Sequence, residues 1–572
     1  MKNSEVAGIF NDIAGLLELK GENQFKIRAY KRAAHTIEQL PNELETIVKE
    51  DIDLRSIPGI GEAIAKKTVE LITTGRLEYF ENLKAEFPEG IFTLLEIPGI
   101  GPRTAKRLND MGIGSVDSLE HALREKQLDG IPGMGDKTSE NILRQIENLR
   151  RKDRRIPAGH AMQVVEEVFD MLRASTDVRN LTAAGSLRRF KETVGDIDLM
   201  GTADAPESVI ATFVSLPNVK EVLMKGPTKA SVILEGELQA DLRMVEHEYF
   251  GSLLQYFTGS KEHNVLLRQR GQKRGLKLSE YGITDISTGI LEKFTDEESF
   301  YRRLGLQYIP PEIREGGDEI EIAARNEIPE LVGLPDIKGD LHVHTEWSDG
   351  HDSIETMALA ARDLGYSYVA ITDHSGGRAI ANGLSPERLK EQIREIKRVD
   401  EKLDGIRVLS GIEVDIKADG SLDMPDGLLA ELDVVVAAVH SGMTQKEEKM
   451  TARIIKAIDN PLVDIIAHPT CRLIGERAPV DVDIEAVFKA AVKNNKALEI
   501  NAMPSRLDLK DVHVKRAREL GVMLTLGTDA HSSAQLSLMR FGVSVARRGW
   551  CRVEHIVNTR SVEELPAFIG RG

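Results

Sequence analysis

The chain has 572 residues, of which 41% are hydrophobic and 29% charged, and its formal net charge is −17. This length predicts several domains, and the composition is typical of globular protein. No run of eighteen apolar residues and no signal peptide is present, so we expect a cytoplasmic protein that does not contact a membrane. The acidic balance argues weakly against nucleic-acid binding. However, residues 261–277 carry six basic residues and one acidic residue, and such a local patch matters more for phosphate contacts than the net charge.

Short amphipathic helices are predicted over residues 1–88, and residues 89–154 continue the helical pattern. The phrase Ile-Pro-Gly-x-Gly begins at Ile57, Ile97 and Ile131, and each copy precedes a predicted helix. Each glycine pair allows a tight turn with positive φ, after which free helix amides can bind a phosphate. The repeat resembles the helix-hairpin-helix motif, and three copies favour DNA-backbone binding over a simple turn between helices. The glycines implied to contact DNA are Gly59, Gly61, Gly99, Gly101, Gly133 and Gly135.

Two aspartates alternate with apolar residues in a predicted strand that follows a glycine-serine turn. The turn is Gly185-Ser186, and we expect Asp196 and Asp198 to share one face because strand side chains alternate. Neighbouring carboxylates repel each other unless a cation lies between them, and Mg²⁺ or Mn²⁺ prefers oxygen ligands. Asp241, in a second predicted strand over 238–245, completes the site if the two strands are adjacent. The pattern favours metal-assisted nucleotidyl transfer over a surface strand whose aspartates face water.

The remaining chain divides by the alternation of its predicted elements. Strands alternate with helices over residues 155–260, whereas residues 261–318 mix helix with short strands. Residues 319–335, which contain acids and prolines, are predicted to be a linker. From 336 to 572, apolar strands alternate with helices of ten to fifteen residues, which predicts βα units around a parallel sheet or barrel.

With these elements in order, residues 1–318 resemble a family X DNA polymerase. The resemblance implies an α/β nucleotidyltransferase palm over 155–260 and an α+β subdomain over 261–318 that binds the deoxynucleotide and the template. It also implies that the three aspartates hold two Mg²⁺ ions. Contacts to the triphosphate are implied for Gly185, Ser186, Arg189 and Gly195, and Arg155 matches a further arginine near the phosphates.

A second motif, Tyr256-Phe257-Thr258-Gly259-Ser260, narrows the substrate that this resemblance implies. Tyr256 and Phe257 match the pair that meets the incoming sugar. The Thr-Gly turn at Gly259 lets the backbone approach that sugar, so that a ribose 2′-hydroxyl would clash. Asn264 matches a residue that contacts the base in the minor groove, and Arg268 matches one that contacts the template strand.

The N-terminal domain resembles the deoxyribose-phosphate lyase domain of the same family. Lys67 falls at the position of the Schiff-base lysine, whose amine needs a lowered pKa to attack an abasic sugar. Three lysines are candidates to lower it: Lys26, Lys31 and Lys66. Lys26 and Tyr30 match positions in the 5′-phosphate pocket. Ala63 stands in place of a family lysine and Phe25 in place of a histidine, so Lys67 is equally well read as a solvated helix lysine.

Histidines and acids recur beyond residue 336 wherever a predicted apolar strand ends. Parallel strands of a βα barrel direct their carboxyl ends to one mouth, so ligands at six strand ends should converge. Imidazole nitrogen together with carboxylate oxygen suits zinc, manganese or iron. The alternative of capped or solvated residues would require six independent coincidences. The candidate ligands are His342, His344, Asp349, His374, Glu413, His440, His468, Asp529 and His531.

The region 336–572 resembles the polymerase-and-histidinol-phosphatase (PHP) domain, and these residues fill that family's usual metal positions. The resemblance implies a (β/α)7-like barrel that holds up to three Zn²⁺, Mn²⁺ or Fe ions and hydrolyses phosphoesters. Behind a family X polymerase it implies 3′–5′ exonuclease activity, with abasic-site endonuclease or 3′-phosphatase activity in some members.

The sequence therefore predicts a multidomain, monomeric repair enzyme that fills short gaps in DNA. Its partners would be gapped or primer-template DNA and deoxynucleoside triphosphates. Two alternatives remain open at this point. One is a DNA-end-binding scaffold with weak synthesis, which the acidic balance and the incomplete lyase pocket favour. The other is a polymerase whose barrel is a small-molecule phosphatase.

Overall fold

The structure is a computed structural model. It describes residues 3–38, 40, 44–49, 52–86, 94, 97, 100, 102–128, 138–139, 142–143, 146, 155–377 and 381–568. The chain divides into two compact units, Met1–Arg154 and Arg155–Gly572. Within the described residues, no helix has the length and apolar character needed to cross a membrane.

The first unit is helical and contains two apolar cores. One core is formed by residues between Val6 and Leu83, and the other by residues between Leu94 and Ile146. Helix Gln24–Glu38 shows why these segments are helical, since its buried residues recur every three or four positions along one face. The helices are Asn3–Leu19, Gln24–Glu38, Leu44–Lys49, Glu62–Thr74, Glu78–Ala85, Pro102–Asp110 and Val116–Arg124, with a 3₁₀ turn at Leu54–Ser56.

The first Ile-Pro-Gly-x-Gly copy forms a turn before helix Glu62–Thr74. Gly59 has φ +93°, whereas Gly61 is extended with φ −85° and is the N-cap of the helix. The predicted turn with positive φ before a helix is therefore confirmed, with Gly59 in the left-handed region and Gly61 in the β-region backbone of a helix N-cap. Gly99, Gly101, Gly133 and Gly135 lie outside the described residues.

The second unit begins with a five-stranded sheet and a separate pair of short strands, and these seven strands are numbered here in chain order. The strands are β1 (Ile156–Pro157), β2 (Arg179–Ala183), β3 (Thr193–Val194), β4 (Ile197–Thr202), β5 (Val219–Lys225), β6 (Lys229–Leu234) and β7 (Leu238–Met244). The sheet order is β2-β4-β7-β6-β5, and β1 pairs with β3. Alternate residues of β7 are buried, as expected for a strand that packs helices against one face. The helices are Ala158–Ser175, Gly185–Arg188, Pro206–Phe213 and Phe250–Thr258.

A small antiparallel sheet and three helices follow. They are β8 (Leu276–Ser279), β9 (Gly282–Asp285) and β10 (Leu291–Glu292), with helices Lys261–Lys273, Glu297–Arg303 and Glu319–Ala324. The segment predicted to be a linker is packed against other parts of this unit. Ile320, Ala323, Ile328 and Leu331 join one apolar cluster with Trp550 of the C-terminal region.

The C-terminal region is a parallel seven-stranded sheet in strict chain order. Its strands are β11 (Gly339–Val343), β12 (Tyr368–Ile371), β13 (Arg407–Asp415), β14 (Val434–Ala438), β15 (Ile465–Ile466), β16 (Ala497–Asn501) and β17 (Leu524–Gly527). A parallel bridge between Val343 and Ala530 joins the first strand to the end of the last, so the sheet is almost closed. The predicted barrel of βα units is thus confirmed.

Strand residues alternate between two buried layers of this barrel. Tyr368 and Ala370 belong to a cluster built mainly from strands, whereas Val369 and Ile371 belong to the larger cluster shared with the helices. This alternation explains the continuous apolar strands in the sequence, because both faces of each strand are covered. The helices are Ile354–Asp363, Pro386–Lys402, Asp426–Leu429, Glu447–Ile458, Ile484–Lys493, Asp511–Glu519, Met539–Arg548 and Leu565–Phe568.

Candidate active sites

Two of the three predicted palm aspartates lie side by side on neighbouring parallel strands. Strand β4 pairs with β7 so that Asp198 is in register with Asp241, which confirms the predicted adjacency. Asp196 was predicted to lie in the same strand as Asp198, but β4 begins at Ile197 and Asp196 lies in the bend before it. Its charge still acts on Asp198. Burial, Asp196 and Asp241 together raise the pKa of Asp198 to about 7.

The glycine-serine turn is pressed against one of these carboxylates. Gly185 has φ +59°, and a Cβ at this position would lie 2.6 Å from Oδ2 of Asp198. Only glycine fits this conformation without strain or displacement of the carboxylate. Ser186 follows in the short helix Gly185–Arg188 and is half-buried. The turn therefore brings main-chain groups to the same place as the carboxylates.

Asp241 is oriented by two side chains from the same sheet. The hydroxyl of Ser231 on β6 donates to Oδ1 of Asp241, and Nε2 of Gln239 donates to Oδ2 at 3.0 Å. These two residues were not identified from the sequence. Ser231 is directly opposite Asp241 in the antiparallel register of β6 and β7, which only the pairing reveals.

Arg189 lies against the second predicted nucleotide motif. Its Nη1 donates to the main-chain oxygen of Thr258, and its Nε lies 3.4 Å from Oε1 of Glu315. Gly259 has φ +69°, and a Cβ there would lie 3.2 Å from Nη1 of Arg189. The fold thus brings Arg189 next to Thr258 and Gly259, although Arg189 and Thr258 are 69 positions apart in the sequence.

The other predicted nucleotide and template residues lie in this motif or in the helix that follows it. The rings of Tyr256 and Phe257 are 5.2 Å apart in an edge-on arrangement. Nδ2 of Asn264 donates to the Tyr256 main-chain oxygen at 2.8 Å, so Asn264 also holds the two helices together. Arg268 is exposed on helix Lys261–Lys273.

Gly195 and Arg155 flank the strand that leads to the aspartates. Gly195 precedes Asp196 in the bend. Arg155 is exposed, and its Nε donates to Oγ1 of Thr193 at 2.9 Å. Arg188, which was not predicted, forms a bidentate pair with Glu297 at 3.0 and 2.6 Å and thereby joins the short helix to helix Glu297–Arg303.

In the first unit, Lys67 and Lys26 approach the same aromatic ring. Their Nζ atoms lie 4.7 and 5.7 Å from the centre of the Tyr79 ring, which stacks on Tyr30 at 6.3 Å. Burial lowers the pKa of the Lys67 amine below its ordinary value, Glu70 opposes this shift and Lys26 adds to it. Lys26 is thus the cationic neighbour. The other two candidates are paired elsewhere, Lys66 with Glu62 and Lys31 with Glu18, both at 2.9 Å.

The nine predicted barrel ligands converge at the carboxyl ends of the strands. Glu413 is the central carboxylate and is 1% exposed. Its oxygens lie 2.6 Å from Nδ1 of His374, 3.1 Å from Nε2 of His440 and 3.0 Å from Nε2 of His468. Three sets of ligand atoms lie close enough to hold an ion each. They are His344, Asp349, His374 and His531, then His342, His344 and Asp529, and finally His374, Glu413 and His440.

The protonation of this cluster fits metal binding. Burial, with the neighbouring His374 and His531, lowers the pKa of His344 to about 3, so its ring is neutral. Burial would raise the pKa of Glu413, but the surrounding histidines lower it well below its ordinary value. Nε2 of His342 and both ring nitrogens of His344 are buried and have no hydrogen-bond partner among the described residues. Buried polar atoms left in this way fit divalent ions as their missing partners.

Comparison with known proteins identifies four regions of the chain and one full-length relative. Family models match residues 1–77 (helix-hairpin-helix domain), 91–148 (SAM-like helix-hairpin-helix tandem), 253–315 (DNA polymerase beta thumb) and 340–503 (PHP domain). The chain is 42% identical over 574 residues to the "DNA polymerase/3′-5′ exonuclease PolX" of Bacillus subtilis (strain 168), and the match covers 100% of both chains. The chain belongs to the family X DNA polymerases with a PHP domain.

Shorter relatives match part of this family X chain. The chain is 32% identical over 232 residues to a "probable phosphatase" of Thermoanaerobacter sp. (strain X514), covering 38% of this chain and 89% of that protein. A second "probable phosphatase", from Shewanella halifaxensis (strain HAW-EB4), is 32% identical over 240 residues, covering 40% of this chain and 91% of the relative. Each of these relatives is matched over most of its own length but over less than half of this chain.

The polymerase's barrel contains a further carboxylate that the sequence analysis missed. Glu499 on β16 accepts from Nδ1 of His342 at 2.6 Å and from the main-chain N–H of His468 at 2.8 Å. Nδ2 of Asn501 donates to Glu499 and to Asp529, at 3.2 Å in both cases. Such second contacts fix the orientation and tautomer of ligand histidines. The signal was available, because Ala497–Asn501 is an apolar strand with one carboxylate, but Glu499 lies within this strand, whereas the predicted ligands follow the ends of strands.

Proposed function

We infer that the protein is a DNA-directed DNA polymerase that fills short gaps during DNA repair and that its PHP barrel is a 3′–5′ exonuclease. The full-length match to the Bacillus PolX protein carries this inference. The register that places Asp198 beside Asp241, with Gly185 against Asp198, supports the synthetic half. The convergent histidine and acid residues of the barrel support the hydrolytic half.

Divalent metal ions are required at both sites, and the side chains suit different ions. We propose that Asp196, Asp198 and Asp241 hold Mg²⁺, since these ligands are all carboxylates. We propose Zn²⁺, Mn²⁺ or Fe, up to three ions, for the barrel, where imidazole is mixed with carboxylate. When bound, these ions neutralise phosphate charge and favour attack on phosphorus.

The chain's own residues supply binding and orientation around the ions. The turn at Gly185 and Ser186 presents main-chain donors to the triphosphate, and Arg189 and Arg155 add positive charge. Gly259 keeps the backbone close to the sugar, which selects deoxynucleotides. The helical first unit, through its Ile-Pro-Gly-x-Gly turns, binds the backbone of gapped or primer-template DNA without reading sequence. Since each site is built from one chain, we propose that a monomer is active.

The synthetic assignment is tested by extension of a primer across a one-nucleotide gap with wild type and Asp198→Ala. Extension by wild type and its loss in Asp198→Ala are expected, with digestion of single-stranded 3′ ends retained as the control for folding. Unchanged extension by Asp198→Ala would contradict the palm assignment. The reverse pattern is expected for His344→Ala, and full nuclease activity in that variant would exclude the barrel as its source.

A phosphatase role for the barrel has its own support in the two "probable phosphatase" relatives, whose lengths it matches almost completely. Removal of a 3′-phosphate from DNA would combine the reaction of a phosphatase with the substrate of a 3′–5′ exonuclease. Turnover of a DNA 3′ end, a DNA 3′-phosphate and a small phosphorylated metabolite should be compared with the same preparation. Preference for the metabolite would favour the small-molecule phosphatase, and preference for DNA would support the exonuclease.

A further inference from the structure

One arginine of the barrel is buried in the polymerase part of the same unit. Arg548 is the last residue of the barrel helix that begins at Met539, and only 4% of its side chain is exposed. Its Nη1 donates to the main-chain oxygen of Arg189 at 2.7 Å and lies 3.0 Å from Oε1 of Glu315. On the barrel side, its Nη2 lies 2.6 Å from Oδ2 of Asp511. A single guanidinium thus joins the two enzymatic regions.

The residues that Arg548 holds are those that orient the nucleotide motif. Glu315 accepts from the Arg189 guanidinium, and Nη1 of Arg189 donates to the carbonyl of Thr258, which precedes Gly259. The main chain of Arg189 directly follows the short helix that starts at Gly185. Arg548 therefore supports both the backbone of Arg189 and the carboxylate that receives its side chain.

We propose that Arg548 is a positioning residue for DNA synthesis, which from the barrel keeps Arg189 in the geometry that binds the triphosphate of the incoming nucleotide. The proposal rests on the proposed function and on the role of Arg189 in it. It assigns the barrel a part in polymerisation that is separate from its own hydrolytic chemistry.

Competition among cations for Glu315 explains why the effect should appear in nucleotide binding. Burial would raise the pKa of Glu315, but Arg548, Lys191 and Arg189 lower it to about 2, so the carboxylate is ionised. Without Arg548, the full charge of Glu315 attracts Arg189 and Lys191. The Arg189 carbonyl also loses the donor that fixes it. Both changes alter the contacts that orient the Arg189 side chain.

The neighbouring residue of the same helix provides a matched control. Nε of Arg547 donates to Oε1 of Glu312 at 2.7 Å, and its Nη1 donates to the Val332 carbonyl at 3.1 Å. Arg547 thus joins the barrel to the same polymerase segment, but its contacts are displaced from Arg189. A purely structural role for Arg548 would lower thermal stability and both activities together in Arg548→Gln, whereas a positioning role raises the Kd for the nucleotide and leaves the exonuclease rate unchanged.

The experiment is single-turnover incorporation of one deoxynucleotide into a one-nucleotide gap by the full chain with Mg²⁺. The maximal rate and the apparent Kd for the nucleotide are measured for wild type, Arg548→Gln, Arg548→Lys and Arg547→Gln. Digestion of single-stranded 3′ ends and thermal unfolding are followed on the same samples. We expect Arg548→Gln to raise the apparent Kd by about tenfold, the effect of losing one charge-assisted hydrogen bond. The exonuclease rate should stay at the wild-type level.

Arg548→Lys should restore part of the affinity, because a lysine keeps the charge but cannot bond to the Arg189 carbonyl, Glu315 and Asp511 at once. Arg547→Gln should leave the Kd unchanged. A wild-type Kd in Arg548→Gln, or a parallel loss of both activities in Arg548→Gln and Arg547→Gln, would overturn the proposal. If Arg548→Gln does not fold, a wild-type Kd in Arg548→Lys overturns it and a raised Kd supports it. Absence of incorporation by wild type would instead overturn the proposed function, and this inference with it.

Discussion

Replacement of Gly185 by alanine tests how closely the glycine-serine turn is fitted to the palm carboxylates. The new Cβ would lie 2.6 Å from Oδ2 of Asp198, whereas ordinary contacts begin at 3.4 Å. The oxygen must therefore move by about 0.8 Å, the difference of these distances. Since it is the end of a side chain, it can rotate away, and the fold survives while the carboxylate leaves its place.

Two magnitudes follow from this geometry. Alanine at φ +59° costs about 1–2 kcal/mol of folding free energy, because its Cβ approaches the carbonyl in the left-handed region. Displacement of a catalytic group by nearly 1 Å costs about 100-fold in rate. We therefore expect Gly185→Ala to lower the rate of gap filling by about 100-fold with a small loss of stability.

Gly236→Ala is the matched control, since Gly236 has φ +80° in the same sheet region and the nearest atom to its added Cβ is 4.0 Å away. Both variants carry similar backbone strain, but only Gly185→Ala displaces a carboxylate. The assays are single-turnover incorporation, thermal unfolding and digestion of 3′ ends. Equal incorporation rates in the two variants would refute the reasoning, and so would loss of the exonuclease in Gly185→Ala.

Three further predictions concern the other ionisable groups. Glu499→Gln should weaken metal binding and exonuclease activity by about 10–100-fold, because it removes the carboxylate that holds two barrel histidines. Metal affinity is measured by titration, with Glu431→Gln, at an exposed glutamate, as the control. In EDTA, Asp198 ionises near pH 7 in the folded state instead of near its ordinary 3.8, so the folded state binds more protons and loses stability as pH rises between these values. Asp198→Asn removes this penalty and should unfold at a higher temperature than wild type at pH 8. The difference should shrink at pH 5 or with Mg²⁺, and a difference that does not vary with pH would contradict this. Borohydride should trap a weak covalent complex with an abasic site through Lys67, whose amine has a lowered pKa. Trapping should be lost in Lys67→Ala and kept in Lys66→Ala, and equal trapping in both would exclude Lys67.

Much of the fold could be predicted from local patterns. Apolar strands that alternate with helices fixed the barrel, because parallel strands covered on both faces need continuous apolar sequence. The candidate ligand histidines could be identified because strand ends in such a barrel meet at one mouth. The start of β4 was predicted at or before Asp196, but the strand begins one residue later, at Ile197. The same residue types occur in a bend and at the end of a strand, so the sequence does not distinguish the two.

The packing of the predicted linker could not be read from the sequence for a related reason. Ile320, Ile328 and Leu331 are buried in one apolar cluster with Trp550, which lies far along the chain. Burial of this kind depends on a partner surface from a distant segment, which a local pattern does not contain.

By itself, the sequence determined which residue types are candidates for the chemistry: three aspartates in or beside two strands, a glycine turn, and histidines at strand ends. Only the tertiary structure decided which of them meet. The register of β4 and β7 sets Asp198 beside Asp241. Closure of the barrel brings Glu499 to His342 across 157 positions, and the buried guanidinium of Arg548 reaches Arg189 across 359. The reason is physical: spacing along a chain fixes the faces of one helix or strand, whereas contacts between elements are fixed by packing and pairing of the whole fold.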